Sequence, residues 1–198
     1  VRLSRGLGDV YKRQIVSGLI KPTQGRILFD NEDVTSQKTE TRNISQVFQF
    51  PVIYNTMSVY DNLAFPLKCR DFEKNKIEER VQSVSETLNL SSFLNMPARK
   101  LTADQKQLIS LGRGLVREDV AAVLMDEPLT VIDPDLKFRL RRNLKEINEE
   151  YKTTLVYVTH DQNEAMTFAD NIIVMDQGEI VQVLSLIHIS EPTRQPNI

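Results

Sequence analysis

Residues 123–128 read Val-Leu-Met-Asp-Glu-Pro, and this stretch decides the fold. Together with the apolar residues before it, it predicts a strand over residues 121–126 that is short and apolar enough to be buried on both faces. Two acids, Asp126 and Glu127, stand at the end of that strand. One carboxylate that holds a metal ion through water, beside another that activates a water molecule, is the arrangement that a magnesium–nucleotide site needs.

Strands and helices alternate around this stretch. The predicted helices share apolar residues at steps of three and four and span 75–90, 104–117 and 136–147. The other predicted strands are short and apolar or β-branched and span 25–29, 43–50, 154–159 and a hairpin over 171–182. The alternation predicts an α/β fold with a mainly parallel sheet covered on both faces. The helical block over 66–117 interrupts it and is predicted to be an inserted subdomain.

Composition excludes several classes of protein. The 25 lysines and arginines nearly balance the 27 aspartates and glutamates, which argues against a nucleic-acid partner. The single cysteine, Cys69, excludes an intramolecular disulfide and fits a reducing compartment. No apolar run reaches the roughly 20 residues that span a bilayer. Any action at a membrane is therefore expected to depend on a partner.

Four further motifs accompany the paired acids. They are Val-Phe-Gln-Phe-Pro at 47–51, Leu-Thr-Ala-Asp-Gln at 101–105, Thr-Val-Ile-Asp at 130–133 and Thr-His-Asp at 159–161. In this order the motifs resemble those of the ATP-binding subunits of ATP-binding-cassette (ABC) transporters, most closely the bacterial importers for sugars and glycerol derivatives. The resemblance covers about residues 15–183. It implies a P-loop NTPase (RecA-like) core over 15–65 and 118–183, with a small antiparallel β part.

The resemblance implies roles for four residues. Asp126 matches the acid that holds the water shell of Mg²⁺, and Glu127 matches the general base that polarises the attacking water. His160 matches the switch histidine, which hydrogen-bonds the γ-phosphate, and Gln49 matches the glutamine that contacts the metal or its water. Each residue alone has a plainer explanation, as a turn former, a helix cap or an exposed polar residue. Their joint occurrence in order favours the functional one.

The signature stretch of the family binds the ATP of the opposite subunit. Here it would comprise Leu101, Thr102, Ala103, Asp104 and Gln105. The family pattern is Leu-Ser-Gly-Gly-Gln, so Ala103 adds a Cβ and Asp104 places a carboxylate where a phosphate should lie. Asp133 matches the D-loop, which crosses the dimer interface. The departures favour a heterodimer over a homodimer. In that heterodimer the paired acids of this chain would serve the competent site.

The phosphate-binding loop of such proteins is missing from this sequence. No stretch matches G-x-x-x-x-G-K-[ST], since Gly6 and Gly8 are followed by Asp9. Residues 1–14 and 184–198 show no helical or strand period and resemble translated sequencing-adapter sequence, the alternative being two natural disordered ends. We therefore expect an N-terminally truncated cassette that lacks its first core strand. The chain as written is expected to bind ATP negligibly.

The implied function is ATP hydrolysis, with Mg²⁺, that powers uptake of a sugar, glycerol or glycerol-3-phosphate-like solute. The implied partners are transmembrane permease subunits, a second ATP-binding subunit and, indirectly, a periplasmic or extracellular solute-binding protein. The permease would be contacted by an apolar surface of Phe50, Val52, Ile53 and Tyr54. The implied location is the cytoplasmic face of the plasma or inner membrane. A soluble ABC-type ATPase acting on nucleic acid or ribosomes, and a non-catalytic partner subunit, remain as alternatives. The solute itself cannot be predicted from these motifs.

Overall fold

The computed structural model describes the backbone of residues 2–5, 8–151 and 153–186. The strands are β1 (Arg2–Arg5), β2 (Leu28–Phe29), β3 (Glu32–Asp33), β4 (Ile44–Val47), β5 (Ala122–Asp126), β6 (Thr154–Thr159), β7 (Asn171–Asp176) and β8 (Glu179–Ser185). The helices are α1 (Gly8–Ser17), α2 (Val59–Lys68), α3 (Lys74–Thr87), α4 (Ala103–Leu115), α5 (Pro134–Tyr151) and α6 (Gln162–Phe168). The three predicted helices and the predicted hairpin are confirmed, whereas β2 and β4 are shorter than predicted.

The main sheet has six strands in the order β4-β5-β6-β1-β7-β8. All neighbouring pairs are parallel except β7 and β8, which form the predicted antiparallel hairpin. Val47 pairs with Met125 at one side of β5, and Asp126 pairs with Val158 at the other. The predicted α/β fold with a mainly parallel sheet is therefore confirmed. The small β2–β3 pair is antiparallel.

Burial explains why β5 lies inside the sheet. Val123, Leu124 and Met125 are at most 2% exposed, so side chains on both faces of the strand are covered. Strand pairing on both sides satisfies the backbone of β5. The buried segment therefore fixes the position of Asp126 and Glu127 at the edge of the sheet.

The helices α2, α3 and α4 share one hydrophobic core with the sheet. This cluster includes Leu63 of α2, Val84 of α3, Ile109 of α4 and Val123 of β5. A separate subdomain over 66–117 therefore stays a prediction. Helix α2 was not predicted; the Ser58 hydroxyl caps its start.

A buried arginine fixes the end of α4. Arg80 of α3 donates from Nε to the Val116 carbonyl at 3.1 Å and from Nη2 to the Leu115 carbonyl at 3.3 Å. Its Nη1 lies 2.7 Å from a carboxylate oxygen of Glu118. The last carbonyls of a helix have no partner within the helix, so this side chain satisfies them and ties α3 to α4.

The N-terminal segment corrects one prediction. Residues 2–5, expected to lack regular structure, form β1 between β6 and β7, and residues 8–17 form α1. The core strand expected to be absent is thus replaced by β1, because parallel pairing uses backbone groups that any segment offers. Within residues 13–17 of α1, whose side chains the structure describes, the buried residues are Arg13 and Ser17, which are polar and so give no apolar period. Gly18, at φ 84°, directly follows α1.

The C-terminal segment needs a smaller correction. Strand β8 extends through Leu184 and Ser185, which pair with β7, although residues 184–198 were expected to be detached. Residues 187–198 lie outside the described part of the chain. Pairing of a strand does not test where a segment comes from, so the foreign origin of both ends stays a prediction.

Candidate functional site

The predicted site residues lie at the ends of neighbouring parallel strands. Asp126 is the last residue of β5, His160 directly follows β6, and Gln49 lies two residues after β4. Since β4, β5 and β6 are adjacent and parallel, their carboxyl ends meet at one edge of the sheet. In open α/β sheets this edge is where ligands bind.

The carboxylate of Glu127 connects these strand ends. Its Oε1 lies 2.8 Å from Nδ1 of His160. Its Oε2 accepts hydrogen bonds from Nε2 of Gln49 at 3.4 Å and from the hydroxyl of Thr130 at 3.2 Å. We call these four residues the Glu127 cluster. Thr130 was not predicted as a member, because the resemblance assigns a role only to Asp133 at the end of its motif.

The backbone of Glu127 is held in a rare conformation. Its φ is 43°, in the left-handed region that residues other than glycine seldom adopt. Its N–H donates to the carbonyl of Val158 at 2.9 Å, which anchors the turn to β6. A conformation of this kind persists only where surrounding contacts impose it, and such positions concentrate at functional sites.

His160 and Glu127 form a charge-assisted pair. The Glu127 carboxylate, as hydrogen-bond acceptor and then as a nearby negative charge, holds the pKa of His160 above its ordinary value, while burial has a smaller opposite effect. The protonated ring is therefore favoured beyond the range of a free histidine. In that form Nδ1 donates to the carboxylate and Nε2 is left for another acceptor.

A buried carboxylate supports the strand that carries His160. Glu164 of α6 is 6% exposed, and its Oε2 accepts hydrogen bonds from the Tyr157 hydroxyl at 3.1 Å and the Thr159 hydroxyl at 2.9 Å. Burial, and then the charge of Glu164, raises the pKa of the Tyr157 phenol well above its ordinary value. Asp161 caps α6 by accepting from the backbone of Asn163 at 2.8 Å. No sequence motif pointed to Glu164, since its partners lie on a separate element.

The other acid of the pair, Asp126, faces a cation of this chain. Its carboxylate forms an ion pair with the guanidinium of Arg13, and both side chains are mostly buried. Within the part of the chain that the structure describes, no three histidine, cysteine, aspartate or glutamate side chains gather as metal ligands would. A guanidinium on Asp126 and the absence of the phosphate-loop pattern from the sequence do not fit Mg²⁺ at this position.

The predicted signature stretch forms a separate group at the start of α4. The hydroxyl of Thr102 accepts from the backbone N–H of Gln105 at 3.3 Å, and Oε1 of Gln105 accepts from the backbone N–H of Thr102 at 3.0 Å. This reciprocal capping box satisfies two N–H groups at the helix start. Ala103 is exposed, and Asp104 lies in the first turn. Asp133 is also exposed and immediately precedes α5.

The segment after Gln49 presents an apolar surface. Phe48, Phe50, Val52 and Tyr54 are all exposed, Phe50 to 68%. We call these four residues the apolar surface. Ile53, expected to belong to it, instead packs against the hydrophobic core, because side chains alternate along an extended segment.

Comparison with known proteins identifies the family of this chain. The family model for ABC transporters matches residues 13–130, which is more than half of the chain. The chain belongs to the ABC transporter family. It is 41% identical over 178 residues to the sn-glycerol-3-phosphate import ATP-binding protein UgpC of Pectobacterium atrosepticum, covering 90% of this chain and 50% of that protein. It is 40% identical over 184 residues to the trehalose/maltose import ATP-binding protein MalK of Thermococcus litoralis, covering 90% and 49%.

Solved structures of ABC proteins share the fold. The cbiO1 protein of Clostridium perfringens, part of the ABC transporter complex cbiONQ, superposes with a TM-score of 0.83 at 25% identity, covering 95% of this chain and 77% of that one. This ABC chain spans about half the length of the curated relatives it matches. Among the described residues, none of the helices is both long and apolar enough to cross a bilayer.

Proposed function

We propose that this chain belongs to the ATP-binding subunit of an ABC importer, which hydrolyses ATP to power uptake of a sugar, glycerol or glycerol-3-phosphate-like solute. The observation that carries the proposal is the Glu127 cluster, which lies at the ligand-binding edge of the sheet. The relatives of this chain are named as import proteins, and these names do not favour a soluble ATPase acting on nucleic acid. These relatives are named for different solutes, so the fold does not fix the solute.

In this proposal Glu127 acts as the general base. Its carboxylate takes a proton from water while the water oxygen attacks the γ-phosphorus, and the bond from that phosphorus to ADP breaks. Both carboxylate oxygens are occupied in the structure, and the bond from Gln49 is the longest at 3.4 Å. Release of Gln49 would therefore open one acceptor position on Oε2 for water at the least cost, while Thr130 keeps its bond to the same oxygen. His160 would hold the other oxygen and offer Nε2 to the γ-phosphate.

The phosphate-binding half of the site is the weak part of this chain. The relatives are named as ATP-binding proteins, yet the sequence has no G-x-x-x-x-G-K-[ST] loop. Asp126, which with Gln49 would serve Mg²⁺ in a complete site, is paired with Arg13 instead. We therefore propose that the 198-residue chain binds Mg-ATP negligibly, and that hydrolysis requires a chain that has the loop.

The partners follow from two exposed groups. The apolar surface would contact a transmembrane permease, because aromatic and aliphatic side chains exposed together mark a site for a protein partner. The signature stretch at 101–105 and Asp133 would face a second ATP-binding subunit. The carboxylate of Asp104 makes that subunit a different protein, because it would repel a bound phosphate. A solute-binding protein would act through the permease. This chain would lie on the cytoplasmic face of the membrane that holds the permease.

The test uses a loop-bearing chain, in which the strand and phosphate loop of the Thermococcus litoralis relative replace residues 1–10. Glu127→Gln keeps the shape of the side chain and removes the base. Glu79→Gln, at an exposed position of α3, is the matched control. Steady-state phosphate release and nucleotide binding are measured for all three chains. We expect hydrolysis to fall by about 100-fold or more in Glu127→Gln, with binding retained, and to stay unchanged in Glu79→Gln.

Other outcomes would separate the alternatives. A loop-bearing chain that binds ATP and does not hydrolyse it, alone or with a second ATP-binding subunit, would support the non-catalytic partner subunit. Equal hydrolysis by the loop-bearing chain and its Glu127→Gln variant would contradict the proposed base.

A further inference from the structure

Gln107 of α4 connects the two loops of the Glu127 cluster. Its Nε2 donates to the carbonyl of Phe48 at 3.2 Å and to the carbonyl of Pro128 at 2.9 Å. Phe48 directly precedes Gln49, and Pro128 directly follows Glu127. The side chain of Gln107 is fully buried, so water does not compete for these bonds.

We propose that Gln107 is a positioning residue, whose amide holds the loop of Gln49 against the loop of Glu127. The consequence for hydrolysis rests on the function proposed above, whereas the geometric claim does not. One amide group with two hydrogens can bridge two carbonyls, which neither a hydroxyl nor an apolar side chain can do. Removal of Gln107 would therefore loosen both loops at once.

The remaining atom of the amide supports this inference. Oε1 of Gln107 is buried and has no hydrogen-bond partner in the described part of the chain. A buried polar atom without a partner is unfavourable, so the oxygen of this amide does not account for a glutamine at position 107. The two donated bonds are what the amide contributes at this position.

The same face of α4 holds the segment on the other side of Gln49. Ser110 accepts from the backbone N–H of Val52 at 3.2 Å, and Arg113 donates to the carbonyl of Val52 at 2.8 Å. The spacing of three residues from Gln107 to Ser110 and on to Arg113 places these groups along one side of the helix. Arg113 also lies over the ring of Tyr54, 4.6 Å from its centroid.

This arrangement links three parts of the molecule through α4. The helix begins at the signature stretch, bonds both loops of the cluster through Gln107, and supports the apolar surface through Ser110 and Arg113. A displacement of α4 would therefore move Gln49 and Glu127 together. Gln107 connects the loop of Glu127 to α4, because its amide donates to the carbonyl of Pro128.

The test compares two buried amides in the chain as it exists. Gln107→Met keeps length and removes both donors. Asn62→Leu is the control for the loss of a buried amide: Asn62 is equally buried, donates to the carbonyls of Tyr54 and Ser58 at 2.9 Å each, and also accepts from the Tyr54 N–H at 2.8 Å. Thermal unfolding records global stability, and NMR records backbone hydrogen exchange at Glu127 together with the pH titration of the His160 ring.

The two histidines of the chain make the ring signals simple to assign, with His188→Gln to identify the other one. We expect both variants to lose stability. Only Gln107→Met should speed hydrogen exchange at the Glu127 N–H by more than the loss of global stability explains, on the order of tenfold. Only this variant should also move the pH titration of the His160 ring towards that of a free histidine. Wild-type signals for Glu127 and His160 in Gln107→Met, or equal changes in both variants, would overturn the inference.

A second measurement covers a Gln107→Met chain that does not fold. In the wild-type chain, NMR couplings across the hydrogen bonds from the Gln107 amide to the carbonyls of Phe48 and Pro128 should be detectable. Their absence would overturn the bridge. Neither experiment needs nucleotide, so each result is independent of whether the proposed hydrolysis is right.

Discussion

The contact between helix α4 and strand β4 gives a prediction about Gly114. A Cβ at this position would overlap the Cγ2 methyl of Val47 and would lie 3.6 Å from the hydroxyl oxygen of Ser45. Val47 is 0% exposed and β-branched, so its methyl group has no alternative position. Alanine at 114 would gain about 1 kcal/mol of helix propensity and lose about 3 kcal/mol through overpacking. We expect Gly114→Ala to destabilise the fold by about 2 kcal/mol.

Gly112, two residues earlier on α4, is the control for this prediction. A Cβ there would lie 2.6 Å from Cδ2 of Leu63, 3.1 Å from Cδ1 of Leu88 and 3.3 Å from Cγ1 of Val84, and the two nearest atoms are the ends of flexible leucine side chains. Those ends can rotate away, so we expect Gly112→Ala to change stability by less than about 1 kcal/mol. The comparison separates a clash with a rigid group from the general effect of adding a methyl.

Urea unfolding at equilibrium measures both variants, with a double-mutant cycle to Val47→Ala. In the Val47→Ala background the overlapping methyl is gone, so Gly114→Ala should be neutral or stabilising by up to about 1 kcal/mol. The coupling energy should thus be about 2–3 kcal/mol. The same loss from Gly114→Ala in both backgrounds would refute the reasoning, as would a wild-type stability for the single variant.

Three further predictions concern pH, capping and a buried cation. Glu127 raises the pKa of His160, so the protonated ring should make wild type more stable than His160→Gln. This difference in stability should be full below about pH 6.5 and should fade as pH rises through the higher pKa of the folded state. An equal difference at every pH from about 5 to 9 would contradict this. Thr102→Ala should cost about 1 kcal/mol in urea unfolding, while Thr102→Ser should cost little. Arg80→Met should cost about 2–3 kcal/mol by the same measurement, because two carbonyls at the end of α4 lose a charged donor, whereas Lys76→Met on the exposed side of α3 should cost little.

The sequence predicted those parts of the fold that a period or a capping signal reveals. Strand β5 and helix α4 were predicted because continuous apolar residues and apolar steps of three and four report burial directly. Helix α1 showed no period over residues 8–14; among its described side chains the buried ones are Arg13 and Ser17, which a hydrophobic pattern cannot detect. Ile53 was misplaced because its neighbours are also apolar, so composition gave no sign of which side chains face outward.

The site was predictable only where a motif names its residues. The structure brings together Gln49, Glu127 and His160, which the resemblance of the motifs had assigned to one site. Gln107 and Glu164 were missed for a physical reason. Gln107 bonds backbone carbonyls, which every residue has, and the partners of Glu164 belong to a strand whose sequence reads as simply apolar.

We propose that this ABC chain holds the residues for hydrolysis in place and binds no nucleotide, because its sequence has no G-x-x-x-x-G-K-[ST] stretch. Isothermal titration of Mg-ATP into the 198-residue chain measures that binding, with the loop-bearing chain as positive control. We predict no measurable heat of binding for the chain as it stands and a clear binding isotherm for the loop-bearing chain. Micromolar affinity in the 198-residue chain would contradict the account.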